Sequence, residues 1–393
     1  MTEIFIAAPV RTPIGKFGGG LAGMSAAELG GAAGREVIRR AGVAPDRIGY
    51  TVFGSARQAG GGPNPARQVG RHAGLPDTSP AFTMNMACAS GLQAILSAAQ
   101  VIRDGEADIV LAGGTESMSR VPYMLDRARW GYRLGHGELI DGMYRDGFLC
   151  PLSGKIMGET AETLAEQYNI PRAEQDTYAV ESQQRCEAAR KAGRFADEMF
   201  AMTAPDERGK PARVEADEHP RDGMTIESMA KLPAVFKQGG TVTAGNSSGI
   251  TDGAAAMLVL SAEAAKRENV EPWARIAGFA TAGVDPNIMG IGPVPAVRKL
   301  EARTGMKLDA IDLVELNEAF AAQVLACDRE LQFDRARLNV NGGAIALGHP
   351  IGATGSRIVV TLLHEMRRRG AKHGLATVCV SGGMGWAMLL ERV

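Results

Sequence analysis

The chain of 393 residues is short of several things. Its formal net charge is only −1, which gives a nucleic acid or an anionic membrane surface nothing in bulk to hold. No apolar run reaches the roughly 18 residues that a membrane-spanning helix needs. Aromatic residues are 5% of the chain, so the core has to be built from small aliphatic side chains. Cysteine is scarce, and the five residues are Cys88, Cys150, Cys186, Cys327 and Cys379. An odd number without CxxC spacing argues against a disulfide framework and against a structural zinc site, and a reducing cytoplasm is the expected location. The opening MTEIFIAAPVRTPIG, with Glu3 near its start, reads as strand and loop and not as a leader. The final ERV is not a peroxisomal tripeptide.

Glycine, by contrast, is plentiful at 50 residues, and much of it recurs in register. Residues 33–56, AGREVIRRAGVAPDRIGYTVFGSA, read as helix, turn and strand. Residues 296–319, AVRKLEARTGMKLDAIDLVELNEA, repeat that order, with Asp309 matching Asp46. CASG at 88–91 is echoed by GATG at 352–355, each opening an apolar helix. Each helix leads to an apolar strand ending in paired glycines, ADIVLAGGTESM at 107–118 and LATVCVSGGMGWAM at 375–388. The copies stay roughly 263 to 269 residues apart, a period too long for a solenoid and fitting one domain present twice. Alternating strands and helices predict an α/β sandwich with mainly parallel, buried sheets. The intervening 119–248 differs, with polar Gly- and Pro-broken stretches around two helices, GETAETLAEQYNI and AEQDTYAVESQQRCEAARKAG. An excursion of this length is expected to be a functional subdomain, with a lid or an oligomer contact as the alternative.

Four segments carry chemistry. NMACASGLQAI places Cys88 at a helix start, where unpaired N–H groups and the helix dipole lower a thiol's pKa; a small buried hydrophobe is the plain alternative. NGGAIALGHPIGATGS fixes His349 between Gly348 and Pro350, which a structural histidine would satisfy equally. VELNEAF ends a strand with Asn317, by itself an ordinary turn residue or helix cap. TVCVSGGMGW ends another with Cys379. Strand ends of α/β sheets gather binding groups. Two thiols and an imidazole together suit covalent acyl transfer from a thioester, one thiol as nucleophile and the other as a carbon acid/base. Backbone N–H groups at Cys88 and in the turn after Cys379 can hold the oxyanion. Cys186 and Cys327 lie on amphipathic helices and read as packing, Cys150 as a bystander. His72, His136, His219, His364 and His373 have no partners at motif spacing and read as surface residues. A zinc site of Cys88, His349 and Cys379 lacks a fourth ligand, so no metal is expected.

Taken in order, IAAPVRTPIGKFGGGL, NMACASG, GTVTAGNSSGITDGAAA, LNEAFAAQ, NVNGGAIALGHPIGATG and CVSGGMG resemble the signatures of the thiolase superfamily, over essentially the whole chain. The resemblance implies duplicated βαβαβαββ halves in an α/β/α/β/α sandwich. The halves would be 1–118 with 249–270, and 271–393, with a coenzyme A-binding loop domain at 119–248. It implies reversible condensation of two acetyl-CoA to acetoacetyl-CoA, or degradative cleavage of longer 3-ketoacyl-CoA, with coenzyme A as substrate and no permanent cofactor. By the same resemblance Cys88 is the acyl acceptor, activated by His349. His349 and a water held by Asn317 form one oxyanion site, and the N–H groups of Cys88 and Ser381 the other. Cys379 is the acid/base. Arg221, Ser248, Ala244, Phe236, Ala319, Phe320 and Met157 contact coenzyme A or the acyl group. The family commonly has glycine where Ser381 stands. Short-chain biosynthetic members have histidine where Ile156 stands, while NPARQVGRHAGLP at 64–76 leans toward the acetoacetyl-CoA enzymes. A homodimer or tetramer is implied, without nucleic acid or membrane. A decarboxylating ketosynthase would use two histidines and lack Cys379. A non-catalytic acyl-CoA carrier would have lost one of Cys88, His349 and Cys379.

Overall fold

The structure, a computed structural model, describes residues 3–206 and 208–393. The chain runs through β1 (Ile4–Arg11), α1 (Ala26–Ala41), β2 (Tyr50–Gly54), α2 (Pro65–Ala73), β3 (Ala81–Met84), α3 (Ser90–Arg103) and β4 (Ile109–Ser117). After the excursion, which contains α4 (Met157–Gln167) and α5 (Arg172–Lys191), β5 (Thr251–Ser261) returns to the same sheet. The second pass runs β6 (Ala274–Gly283), α6 (Pro293–Thr304), β7 (Leu313–Leu316), α7 (Ala321–Leu331), α8 (Ile351–Arg369), β8 (His373–Val380) and β9 (Met384–Arg392). The order of the first pass is thus repeated, with the counterpart of β3 reduced to a parallel bridge between Val314 and Leu338. Asp46 and Asp309 both sit in a 3-10 turn just before the second strand of their copy.

The strands join in the order β7-β8-β9-β6-β1-β5-β4-β2-β3. Here the expectation of mainly parallel sheets is corrected. Only β2–β3, β2–β4 and β7–β8 are parallel, and the five pairings between them are antiparallel. Strands of the middle carry long apolar runs, such as Ala254–Leu260 of β5, which is buried throughout. Such a run carries no alternation from which direction could be read.

Layering follows from which faces are apolar. Leu29, Ala33 and Val37 of α1 pack with Val69 of α2 on one outer face. Val297 and Leu300 of α6 pack with Val324 and Leu325 of α7 on the other. Between the halves lie α3 and α8, with Leu92, Ile95, Ile358 and Leu362 in a single core that includes Trp386, whose Nε1 donates to Gln93 at 3.0 Å. The echo of CASG in GATG is explained here. A Cβ on Gly91 would lie 2.5 Å from the Ser356 nitrogen, and one on Gly355 would lie 2.4 Å from the Leu92 nitrogen. Each copy supplies the glycine that lets the other's helix approach. Gly91→Ala is therefore expected to overpack this crossing, costing ~1–3 kcal/mol, and a denaturant midpoint equal to the parent's would contradict it.

One buried carboxylate gathers several of the hydrogen bonds that tie the excursion to the second half. Glu318, buried, accepts from Tyr178 Oη at 2.8 Å and Ser182 Oγ at 2.7 Å on α5, and from Asn339 Nδ2 and the Ile345 N–H. No helix of the described residues is long and apolar enough to cross a membrane.

Candidate active site

Strand ends from both copies open into one cavity of about 570 Å³ beneath the excursion. Cys88 reaches it from a 3-10 turn, Ala87–Ala89, just ahead of α3. Ala87 has φ +45°, a left-handed conformation that costs a non-glycine residue of order 1–3 kcal/mol. Neighbouring side chains hold that turn. Asn85 Oδ1 accepts from the Ala87 N–H at 3.0 Å, and the Ser90 hydroxyl accepts from Met86 N at 2.9 Å and donates to the Ala87 carbonyl at 2.6 Å. Asn85 and Ser90 in NMACAS are the stitches of the turn that lifts the thiol off the strand end.

Position at a helix start does not lower this thiol's pKa, as composition alone suggested. Burial pushes it up, and the charge of Arg57 and the nearby backbone N–H groups of Ser381 and Cys88, which favour the thiolate, do not compensate. Ser381 precedes Gly382 and Gly383, with φ +88° and +87° in the tight β8–β9 turn.

His349 lines the same cavity. Gly348 before it has φ +99°, and a Cβ there would lie 2.3 Å from Thr251 Cγ2, so only glycine turns the chain at this point. His349 Nδ1 lies 2.6 Å from Thr354 Oγ1, whose own proton goes to the Pro350 carbonyl at 3.0 Å. A hydroxyl that donates elsewhere accepts from the ring, so Nδ1 carries the hydrogen and Nε2 the lone pair. Nε2 is buried with no partner in the chain. Burial, with Arg357 and Arg57 nearby, lowers the imidazole to about 3, so it is a neutral base.

Cys379 and Asn317 stand behind the cavity wall. Cys379 is fully buried among Met289, Ala319 and Phe320, and burial with the adjacent Cys88 raises its thiol well above the ordinary range. Asn317 is fully buried too, and both its side-chain atoms lack a partner in the chain. An unmet buried amide costs roughly 1–3 kcal/mol per group, a cost seldom kept without a ligand to meet it.

The predicted contacts Met157, Phe236, Ala244, Ser248, Ala319, Phe320 and Arg221 all line the cavity. Phe236 meets Phe320 edge-on at 6.1 Å, and Ser248 N donates to the Ala319 carbonyl at 3.0 Å. Ile156 lines the wall beside Met157. Two histidines read as surface residues are not on the surface. His219 lines the cavity with Nδ1 2.8 Å from the Ala346 carbonyl, and half-buried His364 contacts the Pro9 carbonyl and Trp273. Sequence reasoning also passed over Arg57, Lys16 and Phe148, which line the cavity, and Glu116 behind it. Glu116 ends β4 and accepts from the N–H groups of Ala56, Arg57 and Gly352 at 2.8–3.0 Å, joining the β2 end to the start of α8. A Glu after an apolar strand and paired glycines was the one signal available for it.

An imidazole lowered to about 3 beside a raised thiol argues against a Cys–His ion pair at rest. Alkylation of Cys88 by iodoacetamide is expected to be slow at neutral pH and to keep rising on the alkaline side, without an inflection near the ordinary histidine pKa. A rate plateau already reached by pH 7 would contradict it.

Residues 4–263 match the family model for the thiolase N-terminal domain, and residues 270–392 that for the thiolase C-terminal domain. The acetyl-CoA acetyltransferase of Pseudomonas aeruginosa is 50% identical over 392 residues, covering 100% of both chains. Among solved structures, the acetyl-CoA acetyltransferase of Bacillus anthracis superposes with a TM-score of 0.97 at 45% identity, over 100% of this chain and 99% of that one. The human mitochondrial 3-ketoacyl-CoA thiolase in complex with CoA gives 0.96 at 43% identity, over 100% and 98%.

Proposed function

The chain belongs to the thiolase family, and from that premise we propose that it is an acetyl-CoA C-acetyltransferase whose cavity works through an acetyl-Cys88 intermediate. The observation that carries the residue roles is the unpartnered Nε2 of His349 sharing one cavity with Cys88.

In the cleavage direction, the Cys88 thiol passes its proton to His349 Nε2 and the sulfur attacks the 3-keto carbon of acetoacetyl-CoA. The C2–C3 bond breaks, leaving acetyl on Cys88 and the enolate of acetyl-CoA. Cys379, held protonated by its surroundings, gives that carbon its proton. Coenzyme A releases its thiol proton to solvent, from which the Cys379 thiolate recovers its own, and the coenzyme A sulfur attacks the acetyl group. Cys88 leaves and recovers its proton from His349. Condensation is the reverse. The N–H groups of Cys88 and Ser381 hold the oxyanion of the acyl-enzyme, and His349 with Asn317 holds the enolate oxygen.

Residues 119–248 are assigned to coenzyme A binding, between an N-terminal half of 1–118 with 249–270 and a C-terminal half of 271–393. Arg221, Ser248 and exposed Lys16 all line the cavity. Arg221→Ala is expected to raise the coenzyme A KM several-fold with kcat little changed; an unchanged KM would remove Arg221 from the site. The activity is tested by coenzyme A-dependent cleavage of 3-ketoacyl-CoA from four to sixteen carbons, ~10-fold preference for the shortest unbranched neutral chain being expected of an acetyl-CoA acetyltransferase. Equal rates to sixteen carbons would favour the second reading, a 3-ketoacyl-CoA thiolase of broad length, which apolar Ile156 in the wall supports.

A cytoplasmic homo-oligomer fits the exposed apolar residues of the excursion, among them Trp130 at 86% and Leu134 at 99% exposure, and the uncovered outer edge of β3. Light scattering should give a dimer or larger; a monomer at micromolar concentration would contradict it.

A further inference from the structure

Arg57 is the residue of the cavity that acetyl transfer does not use. It follows the end of β2 and lies beside Cys88 with its guanidinium against Gly147, where a Cβ would come 2.6 Å from Nε. Among the described residues no carboxylate lies within ion-pair distance of it. Glu116, whose charge acts on it, has both oxygens taken by backbone N–H groups of Ala56, Arg57 and Gly352. Nε is buried without a partner, and NH1 has only the Ala56 carbonyl at 3.5 Å, the limit of a hydrogen bond.

A half-buried guanidinium with no carboxylate in direct contact is costly to keep in a cavity otherwise walled by Phe148, Ile156, Met157 and Phe236. The other cationic side chains of the lining, Lys16 and Arg221, suit the phosphates of coenzyme A. Arg57 instead acts on Cys88 and His349, at the acyl end. Among the described residues no side chain accepts a hydrogen bond from its guanidinium. An acetyl group ends in a methyl and offers it nothing.

We propose that Arg57 is a specificity-determining residue that receives the terminal carboxylate of a dicarboxylic acyl group, so that thioesters ending in a carboxylate are substrates of this cavity. This rests on the thiolase reading of the same site. A planar guanidinium and a carboxylate pair through charge-assisted hydrogen bonds, and lysine reproduces the charge without the fork.

The experiment compares coenzyme A-dependent cleavage of acetoacetyl-CoA, 3-oxohexanoyl-CoA and 3-oxoadipyl-CoA by the parent, Arg57→Met and Arg57→Lys. The last two substrates have the same chain length and differ in the terminal carboxylate. The parent should cleave 3-oxoadipyl-CoA. Arg57→Met should lower kcat/KM for it by on the order of 10–100-fold relative to 3-oxohexanoyl-CoA, and Arg57→Lys by a smaller factor. A parent that cleaves the neutral substrates but not 3-oxoadipyl-CoA overturns the proposal. So does Arg57→Met losing both six-carbon substrates equally, which would make Arg57 a positioning group for Cys88. Failure to cleave acetoacetyl-CoA as well would overturn the thiolase reading, a separate result. Should Arg57→Met not fold, peptide mass analysis of the parent after succinyl-CoA decides: succinyl on Cys88 supports the proposal, and its absence where acetyl is transferred rejects it.

Discussion

Cys379→Ala is expected to keep acetyl transfer to Cys88 and to lose carbon–carbon bond formation. The two thiols are close enough that the charge of Cys88 acts on Cys379, yet only Cys88 lines the cavity. Cys379 is closed among apolar side chains that keep it protonated. That is the form needed to give a proton to carbon, and its thiolate is the form needed to take one. Loss of a general acid/base typically costs ~10²–10⁴ in rate, so condensation should fall by that factor while acylation by acetyl-CoA stays near the parent rate. The check follows acetyl incorporation and acetoacetyl-CoA formation separately in the same preparation. Acylation abolished as completely as by Cys88→Ala would mean that Cys379 also acts in the first half-reaction.

His349→Ala should produce the opposite pattern, a loss of acylation itself. Nε2 is the one buried imidazole atom left without a partner, and the Thr354–Pro350 chain fixes it as the proton acceptor. Without it the raised Cys88 thiol has no base, and acylation should fall ~10²–10⁴-fold. The pH profile separates this from a loss of shape. Because the parent histidine titrates near 3, its base form is present above that value and declines only as pH falls through it. The acylation rate of the parent should therefore show no step between pH 5 and 7. A step there would place a protonated histidine at the site.

The repeat was legible because order, turn residues and glycine positions recur together, and Gly91 and Gly355 show why those glycines are kept. Strand direction was not legible, since a long apolar run reads the same whichever way the strand runs. Cys88, His349 and Cys379 stood out as reactive types beside glycine, and α4 and α5 as amphipathic runs. His219, Arg57 and Glu116 had no such frame. Each is a single polar residue whose meaning depends on which distant loop it meets: Gly249 for His219, Gly147 for Arg57, the N–H of Gly352 for Glu116. The pKa of Cys88 was misjudged for a related reason. A helix start is visible in sequence, while the burial that outweighs it is created by the rest of the chain.

Brief incubation of the protein with acetyl-CoA, an acid quench and peptide mass analysis would test the acyl-enzyme directly. The acetyl group is expected on the peptide carrying Cys88, present in the Cys379→Ala variant and absent from Cys88→Ala. Acetyl found only on Cys150, Cys186, Cys327 or Cys379, or full turnover by Cys88→Ala, would contradict it.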